Sequence, residues 1–423
     1  MDLKKVSTKI LAETSRVLIG VVFIFSGIVK AIDPMGYAIK IEEYLSAFGF
    51  DSLNFLSVLA SFNITAFEFM LGVCILFGVY RKYVSLFILA FMAVMTPLTL
   101  YLAIFDPVSD CGCFGDAVII SNWETFSKNV VLLAASIFVL IKHKVLTPFF
   151  SVKAHWFIPI YAYIICVVFA YYNYSHLPIK DFRPYKVGAN ISELMTIPEG
   201  APSDEYNYSF IYEKDGVKKE FSLEDYPQND STWVFVDSKM ELIKEGYRPQ
   251  IETFNLYDPQ GDDITEDILT NEGGLFLLVA PILKNASDAK VDEINNLYDY
   301  CLEHNIKFYC VTGSVREEIS EWEENTGAEY PFLFADKVLL KTIIRSNPGL
   351  VLLREGTILE KWHYNDIPHA DILDETINEY MNSEVVAHKE DRLLTTNLLT
   401  FAVPLLLVWL YDFFIIRRKR KEE

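Results

Sequence analysis

The chain has 423 residues, of which 52% are hydrophobic and 22% charged, with a formal net charge of −20. Its mean hydropathy is +0.22. That is too apolar for one ordinary soluble domain and too charged for a pure membrane bundle, so a mixed protein is implied. Charge is also unevenly placed. Residues 174–392 hold 43 acidic and 20 basic residues, net −23, and the remainder holds 14 and 17, net +3. An acidic globular region is joined to apolar, slightly basic segments, and no basic face is present to neutralise the phosphates of a nucleic acid.

A bilayer-crossing helix needs roughly 20 mostly apolar residues. Six runs qualify, at about 12–31, 56–79, 84–105, 121–142, 155–173 and 393–416. The third and sixth carry the clearest pattern. The fourth is interrupted by Glu124, Lys128 and Asn129. Tyr and Trp at several run ends suit a membrane interface. The first run has no small-residue cleavage site and is followed by more spans, so it reads as a retained signal anchor. Basic residues cluster before the first span (Lys4, Lys5, Lys9), between the second and third (Arg81, Lys82), between the fourth and fifth (Lys142, Lys144, Lys153), and in "RRKRK" after the sixth. An even number of spans puts all four clusters, and both termini, in the cytoplasm. The loop 106–120 and the region 174–392 then lie outside it, in an oxidising compartment.

That loop contains "SDCGCFGDA", residues 109–117. A Cys-x-Cys pair can close a small strained disulfide when the central residue bends freely, as Gly112 does. Strained, exposed disulfides exchange readily. A structural staple is the second reading of Cys111 and Cys113. A metal site is the third, with Asp110 and Asp116 as further ligands, although the loop holds no His. Inside the spans, Glu68 sits mid-membrane in "TAFEFMLG" and is a functional candidate by default. Lys30 lies at the outer end of the first span. Glu124 and Lys128, four apart, are placed to pair on one helix face. Packing readings stand beside these: Lys30 as a snorkelling cation, Glu68 as a neutral core residue. Counting helical turns puts Glu68 well below the Cys loop, so direct contact is not expected and its functional version is a proton relay or carrier site.

"SGIVKAIDP", "FEFMLGVCILFGVYRK", "DCGCFGD" and "WETFSKN", in that order, resemble the MauE-like branch of the DoxX superfamily, which are four-helix membrane proteins. The resemblance covers about residues 10–145. The family is named for a factor needed to mature the disulfide-rich small subunit of methylamine dehydrogenase, and DoxX relatives are linked to quinone-coupled sulfur oxidation. It implies that Cys111 and Cys113 are the family's cysteine pair, that Glu68 and Lys30 fall on its recurrent polar positions, and that the chemistry is envelope thiol redox with a membrane carrier such as a quinone.

The acidic region divides in two. Residues 187–245 read as β-rich, with a hairpin signal at Asp215-Gly216. Residues 246–382 read as α/β: strands at 274–280 and 306–313, helices at 288–305 and 315–327, then "NPGLVLLREGTILEKWH" as strand, turn and strand, and a helix at 370–381. This order resembles the thioredoxin fold in its TlpA-like extracytoplasmic form, which places Pro348 where that fold carries a proline, commonly cis. Its C-x-x-C position reads "APILKNASD" here, without cysteine, so the resemblance implies a domain that binds a partner rather than exchanges thiols. Cys301 and Cys310 read as small core residues, and Cys74 and Cys166 as packing residues in their spans.

The expected architecture is therefore a membrane α-helical bundle of six predicted transmembrane helices plus an α/β thioredoxin-like extracytoplasmic domain. The expected boundaries are 1–145 for the four-helix part, 146–186 for the fifth span and linker, 187–245 for the β-rich segment, 246–385 for the thioredoxin-like domain, and 386–423 for the sixth span and basic tail. Two functions stay open. One is an inner-membrane thiol–disulfide redox or maturation protein using Cys111 and Cys113, with a periplasmic partner on the thioredoxin-like domain. The other is a non-catalytic membrane scaffold or biogenesis factor with a structural CGC loop.

Overall fold

The computed structural model describes residues 3–108, 110–227, 230, 232–369, 372 and 388–416. The expected helix at 370–381 and the basic tail at 417–421 lie outside the described residues, apart from Ile372.

The first apolar run forms α1 (Leu3–Ile32). It stops where Asp33 caps the next helix: its side chain accepts from the Gly36 N–H, and Pro34 occupies the first helical position. This second helix, α2 (Pro34–Ala47), was not anticipated from the sequence. It is too short to span a bilayer. α3 (Ser57–Phe77) ends on Gly78 in the left-handed region, φ +68°. α4 (Arg81–Phe105) and α5 (Asn122–Ile141) follow, the latter opened by a reciprocal capping box between Ser121 and Glu124. α6 is Phe157–Ser175. α1 and α3 pack backbone to backbone: a Cβ on Gly27 would lie 2.7 Å from the Phe69 Cβ, and one on Gly72 would lie 2.7 Å from the Ile24 nitrogen. Small residues permit that approach, which is the main source of helix association where lipid replaces water.

Among the described residues, five helices are long and apolar enough to cross a membrane: Lys5–Ile32, Asp51–Phe77, Arg81–Phe105, Asn122–Ile141 and Val152–Ser175. Phe87, Val94, Ile104, Val131, Ile160 and Val168 are each more than half exposed. An apolar belt of this extent fits a lipid environment, not water. The remaining expected span is helical as well (His388–Tyr411), and Leu399–Phe414 is an apolar helix among the described residues. It lies against α3 and α6, with Phe401 edge-on to Phe69 at 5.2 Å and the Tyr161 hydroxyl donating to the Thr400 carbonyl at 3.1 Å.

The rest of the chain contains two sheets. β1 (Glu205–Lys214), β2 (Val217–Ser222) and β3 (Val234–Lys244) form an antiparallel sheet in the order β2-β1-β3. The β1–β2 turn is the Asp215-Gly216 hairpin expected from sequence, both residues at positive φ. The second sheet has the order β6-β5-β4-β7-β8. β4 (Leu275–Ala280), β5 (Lys307–Thr312) and β6 (Phe332–Phe334) run parallel, while β7 (Gly349–Arg354) and β8 (Thr357–His363) are antiparallel. Helices Val291–Glu303 and Arg316–Thr326 pack on one face, and Lys337–Ile343 on the other. The Asn347–Pro348 peptide bond before β7 is cis. Cys301 and Cys310 are fully buried in this core, and burial pushes the Cys301 thiol up to about 12.

The linker after α6 is tied to the second sheet. Lys361 donates to Asp181 at 2.6 Å and to the Tyr185 and Ile343 carbonyls, and Arg183 forks onto the same carboxylate. Burial opposes ionisation of Asp181, but Lys361 and Arg183 outweigh it and hold the carboxyl well below the usual range.

Candidate functional site

The Cys loop is closed at its base. Asn122, the first residue of α5, donates to Asp106 at 2.8 Å and to the Val108 carbonyl at 3.1 Å. Gly112 turns the chain at φ +64°, and its N–H donates to Asp110 at 2.8 Å. Each cysteine backbone is pinned by a hydroxyl from the bundle. Tyr44 donates to the Cys111 carbonyl at 2.7 Å, and Ser26 to the Cys113 carbonyl at 2.6 Å. The two Sγ atoms lie 2.9 Å apart as free thiols. Asp110 pairs with Lys40 at 3.0 Å.

Directly beneath lies a buried ion pair. Lys30 Nζ meets Glu68 Oε2 at 2.7 Å and sits 4.7 Å from the centre of the Tyr37 ring. Lys30, Glu68, Ser26, Cys113, Lys128 and Asn129 all border one cavity of about 20 Å³. Such a space, lined by polar groups, is large enough for one water. The structure thus brings together the four residues singled out from the sequence, and it corrects two expectations. Glu68 is not remote from the cysteines; the loop dips into the mouth of the bundle and places Cys113 on the same cavity. Glu124 and Lys128 do not pair. Glu124 is held by Ser121 in the capping box, and Lys128 lies 4.1 Å from the centre of the Phe114 ring, facing the cavity.

The thiols are electrostatically unlike. The hydrogen bond from Cys111 holds the Cys113 thiol down, at about 6, against the opposing effect of burial, with Lys128 and Lys30 adding to the depression. The same hydrogen bond and burial push Cys111 up. Burial also raises the phenols of Tyr44 and Tyr37, the latter to about 12.

The acidic region roofs the site. Arg345, just after helix Lys337–Ile343, donates to Asp33 at 2.9 Å and to Asp116 at 3.2 Å. Between this roof, α2 and the loop is a cavity of about 540 Å³ bordered by Lys30, Tyr37, Lys40, Gly112, Arg183 and Arg345. A neighbouring cavity of about 360 Å³ shares Ile39, Glu42, Lys341 and Arg345 with it and reaches Pro281, Ile282, Asn285 and Asn347, where the "APILKNASD" stretch faces the cis proline.

Sequence reasoning missed Ser26, Tyr44 and Arg345. A serine in an apolar span and a tyrosine in an unrecognised helix carry little signal alone. The four-residue spacing of Lys128 from Glu124 suggests a pair on one helix face, but the capping box takes Glu124 and leaves Lys128 to the Phe114 ring.

Residues 8–142 match the family described as Methylamine utilisation protein MauE, and residues 206–245 match a domain of unknown function (DUF8463). The first match runs from α1 to the end of α5 and includes the Cys loop; with the apolar helices, it points to a membrane protein. No curated protein matches the chain. Among solved structures, the chain is similar to a solution structure titled "putative protein disulfide isomerase" from Bacteroides thetaiotaomicron, at 16% identity over 31% of this chain and 86% of that one, with a TM-score of 0.25.

Proposed function

We propose that this chain is a multi-pass inner-membrane protein of envelope thiol–disulfide redox or protein maturation, with Cys111 and Cys113 as the exchanging pair. The observation that carries the reading is the approach of two free thiols to 2.9 Å at the edge of a cavity shared with the buried Lys30–Glu68 pair. A loop that needed only a staple has no use for an ion pair beneath it, and burying one is expensive in a membrane.

Six spans, with both termini in the cytoplasm and residues 174–392 in the periplasm, are part of this proposal; the distribution of Lys and Arg supports them. The second sheet is taken as a thioredoxin-like module. Three parallel strands followed by two antiparallel ones, in the order β6-β5-β4-β7-β8, support that. With no cysteine in "APILKNASD", its role is to bind a protein client over the cleft above the Cys loop. Electrons pass onward to a membrane carrier of the quinone class, and Glu68 serves proton movement between the two.

The test is the thiol state of the pair in membranes, followed by trapping of mixed disulfides in Cys111→Ser and Cys113→Ser variants. A mixed or readily reduced pair and a trapped client support exchange. A pair that stays oxidised under all conditions, with nothing trapped by either variant, makes the loop a staple and the protein a scaffold.

A further inference from the structure

We infer that the two cysteines have fixed, different roles: Cys113 is the attacking sulfur, Lys128 is the positioning residue that favours its thiolate, and Cys111 is the sulfur that resolves the mixed disulfide. This rests on the thiol-exchange reading above and assigns the direction of attack within it.

The assignment rests on geometry. Cys113 borders the cavity and is partly exposed, whereas Cys111 is 5% exposed and packs against Leu102, Val108, Met95 and Tyr44. Cys113 is therefore the less buried sulfur and the better placed of the two to meet an incoming disulfide. Lys128 projects from α5 into the same cavity, its Nζ held over Phe114, the residue that follows Cys113. The other titratable groups facing Cys113 are Lys30 from α1, Tyr37 and Tyr44 from α2, Glu68 from α3, and Cys111 itself. α4 contributes Phe91, Met92 and Met95 to the cavity, none of them titratable. Glu68 is already neutralised by Lys30 at 2.7 Å, so Lys128 is the cation left over for an anionic sulfur. The depressed Cys113 thiol and the raised Cys111 thiol agree with this polarity.

The chemistry balances with a disulfide RS–SR′ as substrate. The Cys113 thiolate attacks one sulfur; a Cys113–SR bond forms, S–S breaks, and R′S⁻ departs. Cys111 then loses its proton and attacks the Cys113 sulfur. The Cys111–Cys113 bond forms, RS⁻ departs, and the proton from Cys111 goes to a departing thiolate. Two electrons have moved from the pair to the substrate. Client oxidation, the direction proposed above, runs these bonds in reverse: a client thiolate attacks Cys113 of the Cys111–Cys113 disulfide, Cys111 departs and takes up a proton, a second client thiolate displaces Cys113 as its thiolate, and the pair's two electrons then pass to the quinone-class carrier.

The test uses the full-length reduced protein in detergent micelles with limiting isotopically coded iodoacetamide, read by peptide mass spectrometry from pH 5 to 9. In the wild type, Cys113 should be alkylated at least about tenfold faster than Cys111 at pH 7, with a midpoint near 6. In Lys128→Met the midpoint should rise by about one unit, making alkylation at pH 6 several-fold slower, and Lys128→Arg should restore the wild-type profile. Cys111 reacting first overturns the assignment, and this needs no variant, so it decides even if Lys128→Met fails to fold. A folded Lys128→Met with the wild-type pH profile overturns the role of Lys128. A protein that behaves as expected here yet traps no client leaves the polarity standing and removes the exchange reading.

Discussion

Glu68→Gln is the most informative single change, because the bundle leaves its partner no escape. The Lys30 and Glu68 side chains are 4% and 7% exposed and 2.7 Å apart. Lys30 is two residues from the end of α1, which suggests that it could snorkel outward. Helical side chains, however, lean toward the N-terminus, so Lys30 points back into the bundle. With Gln at position 68, the buried ammonium loses its carboxylate partner at 2.7 Å, and the groups left facing it are the Tyr37 ring and Cys113 across the shared cavity. Breaking a buried pair from one side destabilises by about 3–5 kcal/mol. The lower figure corresponds to roughly a hundredfold in the unfolding equilibrium. Lys30→Met should lose less, since an isolated carboxyl can be carried neutral. The double variant Lys30→Met/Glu68→Gln removes both charges and should recover to within about 1 kcal/mol of wild type, giving a coupling of about 2 kcal/mol or more. Thermal unfolding of the full-length protein in micelles, followed by fluorescence, measures the cycle. Additive single effects, with a coupling under about 0.5 kcal/mol, would refute the ion pair as a structural unit. The double variant also supplies the functional control. If it is as stable as wild type but its Cys111/Cys113 pair re-oxidises slowly after a reductant pulse in membranes, the charges serve turnover; a wild-type rate removes the proton-relay role of Glu68.

Arg345→Ala should loosen the roof by about 2 kcal/mol, since Asp33 and Asp116 lose a shared charged donor; hydrogen exchange should quicken in residues 33–47 and 110–117 while the two sheets stay protected. Gly112→Ala forces a side chain into φ +64° with its Cβ 3.1 Å from the Lys40 Cγ, so it should lose about 1–2 kcal/mol and slow oxidation of the cysteine pair in a thiol gel-shift assay; an unchanged rate counts against the turn geometry. Cys301 and Cys310 should ignore an aromatic disulfide reagent in the native protein and react only on denaturation, because both are fully buried. Asp181, depressed in the folded state, contributes stability that is present above its unfolded value of about 4 and lost as pH falls below it; Asp181→Asn should flatten the pH dependence of melting between pH 5 and 3.

The parts of this protein written in local periodicity were legible. Five apolar runs became long helices, the Asp215-Gly216 turn became a hairpin, and the two helices and four strands read between residues 274 and 363 fall within three residues of where they were placed. Elements without a pattern of their own were missed. α2 has mixed composition and is fixed by a cap at Asp33 and by contact with α3. β6 is three residues long and exists because Cys310, Val311 and Thr312 offer a free edge. No period reveals an element whose stability comes from its neighbour.

The misplacement of Glu68 has a different cause. Counting residues along a helix measures depth from the helix end, and by that measure Glu68 is far from the outer surface: it lies eleven residues after Ser57, the start of α3. The count says nothing about where the connecting loops go. Here the loop after α4 does not stay at the surface, because Ser26 and Tyr44 draw the two cysteine carbonyls down onto α1 and α2. Each hydroxyl satisfies a carbonyl that would otherwise be left unpaired at the membrane boundary, where water is scarce. Non-helical backbone is tolerated at this depth only when such partners line it. Ser26→Ala and Tyr44→Phe together should therefore let the loop rise, separating Cys113 from the Lys30–Glu68 cavity while leaving the helices intact. The Cys113 alkylation midpoint should then move up by the share that Lys128 and Lys30 contribute, while the Cys111 hydrogen bond, carried within the loop, keeps it below that of an ordinary thiol. A double variant that keeps the full wild-type midpoint would mean that the approach of Cys113 to Lys128 and Lys30 does not depend on the two hydroxyls.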